Sequence, residues 1–268
     1  MSDRVKNLHD KIIKYYTDYY KGTLGIDDYE ARIAVRLEEE NVYAKLIDKY
    51  RTLVPFFNES CVGKKVFVDG AGTGGEIISF AQLGYTVFGI EPSEYACDII
   101  SDKLKIYDLQ RAYVLRGVAE ALPFHDNYFD FVWSWTVLEH VQDLEQAIHE
   151  IYRVLAPGGW AFLMMPDYRQ FYEGHYKMYL PMFLPKFIVK CMLRLHNKPV
   201  GFLDWGINFT NARQVRNILQ ALPVMSMQLF HPWSDEWKWG RNIPMNIIYY
   251  ISRYFGVQRD QVWIINKC

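Results

Sequence analysis

The spacing of apolar positions along the chain changes near residue 65. Before that point Ile33, Leu37, Ala44, Leu46 and Ile47 recur at helical intervals, and Glu38, Glu39 and Glu40 fall on what this spacing makes a solvated face. No period-two alternation interrupts residues 1–60, so they read as helical, with a break expected at Lys21-Gly22-Thr23-Leu24-Gly25. Beyond residue 65, short apolar runs at 65–69, 85–90, 112–115, 129–134 and 160–165 read as strands. Residues 75–83, 93–107 and 143–155 read as helices between them. Strands that alternate with helices predict a parallel sheet covered on both faces. Asp143 and Gln146 have the spacing of a capping box, followed by a buried stripe of Leu144, Ala147, Ile148, Ile151 and Leu155.

The alternation lapses over residues 167–208, where Pro181, Pro185 and Pro199 lie among many aromatics; this stretch reads as an insertion over the sheet. Thr210-Asn211 opens a further helix with Val215, Ile218, Leu219 and Leu222 as its apolar face. Two last strands are expected at 224–230 and 262–265, with a helix near 243–255 between them.

Composition narrows the function classes. The chain has 268 residues, half of them hydrophobic and 23% charged, enough to fold around its own core without disulfide staples. Lys and Arg total 30 against 31 Asp and Glu, so a broad basic surface for nucleic acid is not expected. Cys61, Cys97, Cys191 and Cys268 form no Cys-x-x-Cys pair and read as free thiols of a reducing compartment. The N-terminus shows no signal-peptide pattern and no apolar run reaches the ~18–20 residues of a membrane span, so a cytoplasmic protein is expected. Aromatics at 16% fit either an aromatic-lined pocket or an aromatic-rich core.

The chemistry concentrates after the first strand, in Val66-Phe67-Val68-Asp69-Gly70-Ala71-Gly72-Thr73-Gly74-Gly75. Glycines here let the backbone turn tightly and approach a ligand, and the helix that follows offers unpaired N–H groups. Gly70, Gly72 and Gly75 fit Gly-x-Gly-x-x-Gly, the spacing of a dinucleotide loop. Glu91, at the end of the second strand, suits both hydroxyls of a ribose, whether of a nicotinamide dinucleotide or of an adenosyl cofactor. Asp69 separates the two: a carboxylate at the loop repels a pyrophosphate but attracts a sulfonium and an ammonium.

Asp69-Gly70-Ala71-Gly72-Thr73-Gly74 resembles the Asp/Glu-x-Gly-x-Gly-x-Gly signature of class I methyltransferases that use S-adenosylmethionine, of the type 11-like group. Glu91-Pro92-Ser93 is similar to their acidic turn, and Gly117-Val118-Ala119-Glu120-Ala121-Leu122-Pro123-Phe124 to the segment beside the adenine. Asp130, Ser134 and Val137-Leu138-Glu139-His140-Val141 resemble their fourth strand and its turn, and Leu155-Ala156-Pro157-Gly158-Gly159 the approach to the fifth. Val118 stands where the family often has Asp for the adenine amino group.

The resemblance implies an α/β fold: a Rossmann-like, seven-stranded class I methyltransferase sheet, mostly parallel, with its last strand antiparallel. Residues 1–60 would form a helical N-terminal cap on a methyltransferase domain of residues 61–268, with a lid insertion at about 167–208 after strand five. It implies S-adenosyl-L-methionine as cofactor, bound by Asp69, Gly70, Ala71, Gly72, Glu91, Pro92, Ser93, Ala119, Glu120, Ser134 and Trp135. The implied activity is methyl transfer to a small or medium acceptor, such as a sugar, glycan or secondary-metabolite hydroxyl. His175 is the candidate general base, with His140 and His231 as alternatives, and Asp167 and Tyr168 as acceptor contacts. Some O-methyltransferases of this breadth hold a divalent ion with Glu-x-x-Glu-His; Thr136 occupies the first of those positions here, so no metal is expected. Lys186, Lys190 and Arg194, four apart, form a basic stripe that suits a lid edge better than a peripheral membrane contact. The competing readings are a nicotinamide-dependent oxidoreductase and a cofactor-binding partner subunit without catalysis.

Overall fold

The computed structural model describes residues 3–169, 172–182, 184–230 and 260–268. The helix expected near 243–255, and His231, lie outside the described residues. The strands are β1 (Lys65–Asp69), β2 (Thr86–Glu91), β3 (Ala112–Arg116), β4 (Phe129–Trp135), β5 (Leu155–Pro166), β6 (Tyr172–Glu173), β7 (Met178–Tyr179), β8 (Val224–Phe230) and β9 (Asp260–Lys267). Seven of them form one sheet in the order β3-β2-β1-β4-β5-β9-β8, while β6 and β7 make a separate hairpin. β1 to β5 pair in parallel, and β9 runs antiparallel to both β5 and β8. This is the Rossmann-like class I methyltransferase sheet that the sequence implied.

The strand order reverses between β1 and β4, which opens a crevice at their carboxyl ends. Asp69 and Ser134 are register partners there, so the last residue of β1 and the penultimate residue of β4 stand side by side at the crevice floor.

Helices α4 (Gly75–Gln82) and α5 (Glu94–Ile106) follow β1 and β2, α6 (Leu144–Val154) precedes β5, and α9 (Ala212–Gln220) precedes β8. One core joins α6 and α9 to the sheet through Ile148, Ile151, Val215, Phe67, Val132 and Trp263. The other lies against α4, with Ile77, Phe80, Val66, Val68, Phe131 and Trp133. Half of the capping box before α6 forms: Asp143 accepts from the Gln146 N–H at 3.0 Å, but the Gln146 amide donates to the Glu120 carbonyl instead of returning to residue 143.

The N-terminal segment comprises α1 (Asp3–Thr17), a π-helical turn (Asp18–Thr23), α2 (Tyr29–Arg36), α3 (Glu39–Arg51) and a 3₁₀ turn (Pro55–Asn58). The helix continues through Lys21 and Gly22, and the break falls at the end of the expected stretch, at Gly25, whose φ of +60° glycine adopts readily. A third core packs this segment against the insertion: Leu8, Ile12, Tyr16 and Tyr20 meet Tyr176, Leu180, Leu193 and Phe202. The insertion is more regular than its prolines suggested, with the β6–β7 hairpin, α7 (Lys186–Leu195) and α8 (Phe202–Trp205). The basic stripe on α7 is not a free one. Lys186 donates to the Leu203 carbonyl at 3.0 Å and Lys190 pairs with Asp204, so only Arg194 of the three extends from an exposed position without such a tie to α8.

Candidate functional site

At the crevice floor the chain leaves β1 through three glycines of positive φ: Gly70 (+64°), Gly72 (+54°) and Gly74 (+93°). A Cβ on Gly70 would stand 2.4 Å from Val137 Cγ2, so this residue lets the β1 loop and the β4 turn pack together. A Cβ on Gly72 would meet nothing within 4 Å; the space above it is open. The Gly72 N–H donates to Glu91 Oε2 at 2.9 Å and the Ser93 N–H to Glu91 Oε1 at 3.0 Å. Each oxygen of this largely buried carboxylate keeps a lone pair for a hydroxyl, the arrangement a ribose diol requires. Ala71 anchors the loop to β2 by donating to the Ile90 carbonyl at 2.8 Å. Ser93 caps α5, and the Pro92 carbonyl accepts from Arg116.

Asp69 is fully buried. Its Oδ2 accepts from the Ser134 hydroxyl at 2.9 Å, and its Oδ1 has no hydrogen-bond partner among the described residues. Burial pushes its carboxyl up to about 7. A buried acid with one unmatched oxygen beside an open glycine loop fits a cationic cofactor and opposes a pyrophosphate.

In the segment that the resemblance places beside the adenine, Ala119 is buried and Val118 is 47% exposed. The Glu120 carboxylate turns away to the next helix, accepting from the Gln142 N–H at 2.5 Å and the Asp143 N–H at 3.3 Å. It therefore caps the start of α6.

The roof of the crevice comes from the N-terminal helices, through a residue that periodicity misplaced. Glu39 was expected on a solvated face, yet it is 2% exposed. It accepts from the Thr73 hydroxyl and from Lys103 Nζ at 2.7 Å, and Lys103, itself buried, also pairs with Glu40. Helical spacing assigns faces of one helix in isolation; it carries no signal for a partner 64 residues away.

Trp135 lines a cavity of about 300 Å³ with Tyr20, Arg32, Arg36, Glu39 and Tyr43, while Trp133, stacked on it at 5.6 Å, is fully buried core. Beside it the insertion brings His175 to the β4 turn. His175 Nδ1 lies 2.6 Å from Glu173 Oε1, and its Nε2 lies 3.2 Å from Nε2 of His140, whose Nδ1 contacts the Gly206 carbonyl. Burial lowers His140 to about 4. Burial also disfavours the charged form of His175, but the neighbouring Glu173 outweighs this and holds His175 above the usual imidazole range. Of the two rings, His175 is therefore the one that more readily takes up a positive charge. Both carboxylate oxygens of Glu139 are buried without a hydrogen-bond partner among the described residues, and burial lifts this acid to about 8. The ligating atoms of Glu139, His140 and His175 all lie within 4.8 Å of one another, a donor set that could hold a divalent ion. Thr136 weighed against a metal in the sequence; the third group comes instead from the insertion. Asp167, expected at the acceptor, is buried in a pairing with Arg169 and holds the insertion to α9 through the Ala212 N–H; Tyr168 is also buried.

Residues 69–163 match a family model described as a methyltransferase domain. This chain carries a class I S-adenosylmethionine-dependent methyltransferase domain. Over 97 residues the domain is 34% identical to the demethylmenaquinone methyltransferase of Listeria welshimeri, a match covering 34% of this chain and 41% of that protein. Over 144 residues it is 29% identical to phosphoethanolamine N-methyltransferase 2 of Caenorhabditis elegans, covering 53% of this chain and 32% of that one. The chain thus spans less than half the length of these curated relatives. The methyltransferase fold recurs in phosphoethanolamine N-methyltransferase 2 of Haemonchus contortus in complex with S-adenosyl-L-methionine, with a TM-score of 0.53 and 16% identity over 82% of this chain and 52% of the other. It also recurs in the [4+2]-cyclase SpnF, with a TM-score of 0.51 and 19% identity over 82% and 80%. The same sheet therefore serves more than one reaction, and the methyltransferase domain must be read from its site. No helix among the described residues is long and apolar enough to cross a membrane.

Proposed function

We propose that this chain transfers a methyl group from S-adenosylmethionine to a hydroxyl of a small or medium acceptor, such as a sugar, a glycan or a secondary metabolite. The observation that carries this reading is Asp69, a buried acid with an unmatched oxygen beside an open glycine loop. Asp69, Gly70, Ala71, Gly72, Glu91, Pro92, Ser93, Ala119, Ser134 and Trp135 would hold the cofactor: Glu91 at the ribose, Asp69 toward the cationic end, and backbone groups for the rest. When bound, the cofactor supplies an electrophilic methyl group. The cap of residues 1–60 and the insertion exclude water from that methyl and orient the acceptor, which is much of what an in-line displacement needs. His175, oriented by Glu173, would take the acceptor proton at Nε2, the nitrogen that now contacts His140. Unpaired Cys61, Cys97, Cys191 and Cys268 support a cytoplasmic setting.

A thermal-shift comparison tests the reading: S-adenosylhomocysteine stabilises the protein and NADH does not. Stabilisation by NADH alone would return the chain to the oxidoreductase reading. Cofactor binding with no product in a broad acceptor screen would favour a non-catalytic subunit. Glu139, without a hydrogen bond among the described residues, supports a second route, in which Glu139, His140 and His175 would hold a divalent ion that would polarise the acceptor oxygen. Loss of turnover on chelation, restored by added metal, would select it over the free base.

A further inference from the structure

The 300 Å³ cavity beside Trp135 is lined by a cation, Arg32, two of whose nitrogens have no hydrogen-bond partner among the described residues. Three cations stand in or behind its wall: Arg32, Arg36 and Lys103. Arg36 is accounted for, with Nε donating to the Tyr20 hydroxyl at 3.0 Å, Nη1 donating to Tyr43 at 3.4 Å, and the same nitrogen 3.7 Å from Glu39. Lys103 is matched by Glu39 and Glu40. Arg32 is different. Its Nη1 donates to the His175 carbonyl at 3.4 Å, and its guanidinium carbon lies 5.2 Å from the centre of the Tyr20 ring. Its Nε and Nη2 are buried with no hydrogen-bond partner among the described residues.

Those two nitrogens form one edge of the guanidinium plane, the edge whose parallel N–H groups match the two oxygens of a carboxylate or phosphate. A buried, unpaired fork of this kind is unfavourable until an anion meets it. Among the described residues no carboxylate is hydrogen-bonded to it. Asp28, at the start of α2, is committed to Lys177 at 3.1 Å, and Glu39 is shared among Lys103, Thr73 and Arg36. The third nitrogen ties the fork to the backbone of His175, so the anchor and the candidate base move as neighbours.

We propose that Arg32 binds an anionic group of the acceptor, a carboxylate or a phosphate, and so selects small acidic acceptors for methylation. This rests on the methyltransferase reading and names the acceptor class. The cofactor also carries a carboxylate, and the two sources of the anion separate experimentally. Calorimetry on the full chain first measures S-adenosylhomocysteine. The complex saturated with that ligand is then titrated with inorganic phosphate and with acetate, against chloride at equal ionic strength. In the wild type, phosphate or acetate binds the saturated complex. Arg32→Gln weakens that binding at least tenfold, Arg32→Lys weakens it less, and both leave S-adenosylhomocysteine affinity within threefold. Because the variant removes an unpaired buried charge, Arg32→Gln melts no lower than the wild type. Three results overturn the proposal: equal anion binding in Arg32→Gln and wild type; a tenfold loss of S-adenosylhomocysteine affinity, which gives the fork to the cofactor carboxylate; or a clearly lower melting temperature in both variants, which makes Arg32 a structural residue. Failure of S-adenosylhomocysteine to bind the wild type would sink the methyltransferase reading itself, a separate outcome.

Discussion

The Tyr16 and Thr73 hydroxyls lie 3.1 Å apart, so the first helix of the chain rests on the glycine loop that it precedes by more than fifty residues. Thr73 in turn donates to Glu39 of α3, which holds Lys103 of α5. The cap and the loop are one hydrogen-bonded unit, and the third core joins the same cap to the insertion.

Cofactor binding should therefore slow hydrogen exchange in residues 10–25 and 168–205 together. Tyr19 packs edge-on against Phe202 at 6.1 Å, a direct link between the two segments. Lids of this kind move on microsecond-to-millisecond timescales and often limit turnover. The glycine loop should be protected as well, by direct contact. Exchange measured with and without S-adenosylhomocysteine decides it: unchanged rates in both segments would make them fixed scaffold.

Glu91→Ala and Gly72→Val should each abolish cofactor binding in a protein that remains folded. Glu91 holds the loop through the Gly72 N–H and offers its remaining lone pairs to a ribose. Losing two charge-assisted hydrogen bonds costs roughly 3–5 kcal/mol, a weakening of about two to four orders of magnitude. A valine at residue 72 would sit at a positive φ and fill the open space above the loop. Wild-type affinity in either variant by calorimetry would remove the cofactor from this loop.

S-adenosylmethionine affinity should fall as pH is lowered through about 7. Asp69 titrates at about 7 because burial disfavours its charged form, and only the ionised form attracts a cationic ligand. Below that pH the acid must first lose its proton, so the dissociation constant should rise about tenfold per unit. Asp69→Asn should bind weakly at every pH. Affinity independent of pH from 6 to 8 in the wild type would place the cofactor cation elsewhere.

His175→Ala should lower turnover by about 10²–10⁴-fold with little change in cofactor affinity. The base must be neutral to act, and Glu173 holds His175 above the ordinary imidazole range. Activity should therefore rise with pH through a midpoint above that range. Glu173→Gln keeps an acceptor for the ring but removes the charge, so the midpoint should move down. A pH profile identical in wild type and Glu173→Gln would exclude this pair as the proton acceptor.

Local chemistry made much of this protein legible in the sequence. The β-strand runs, the glycine loop and Glu91 are patterns within a few residues, set by backbone sterics and period-two burial, and the structure places β1 at 65–69, where the apolar run put it. Only the tertiary structure decided what distant segments do together. The Nε2–Nε2 approach of His140 and His175 joins residues 35 apart. The burial of Glu39 depends on Lys103, the redirection of Glu120 on the turn before α6, and the unpaired fork of Arg32 on where the insertion lays the His175 carbonyl. A charge on a helix reads as solvated until another element covers it, and helical periodicity holds no information about which element will.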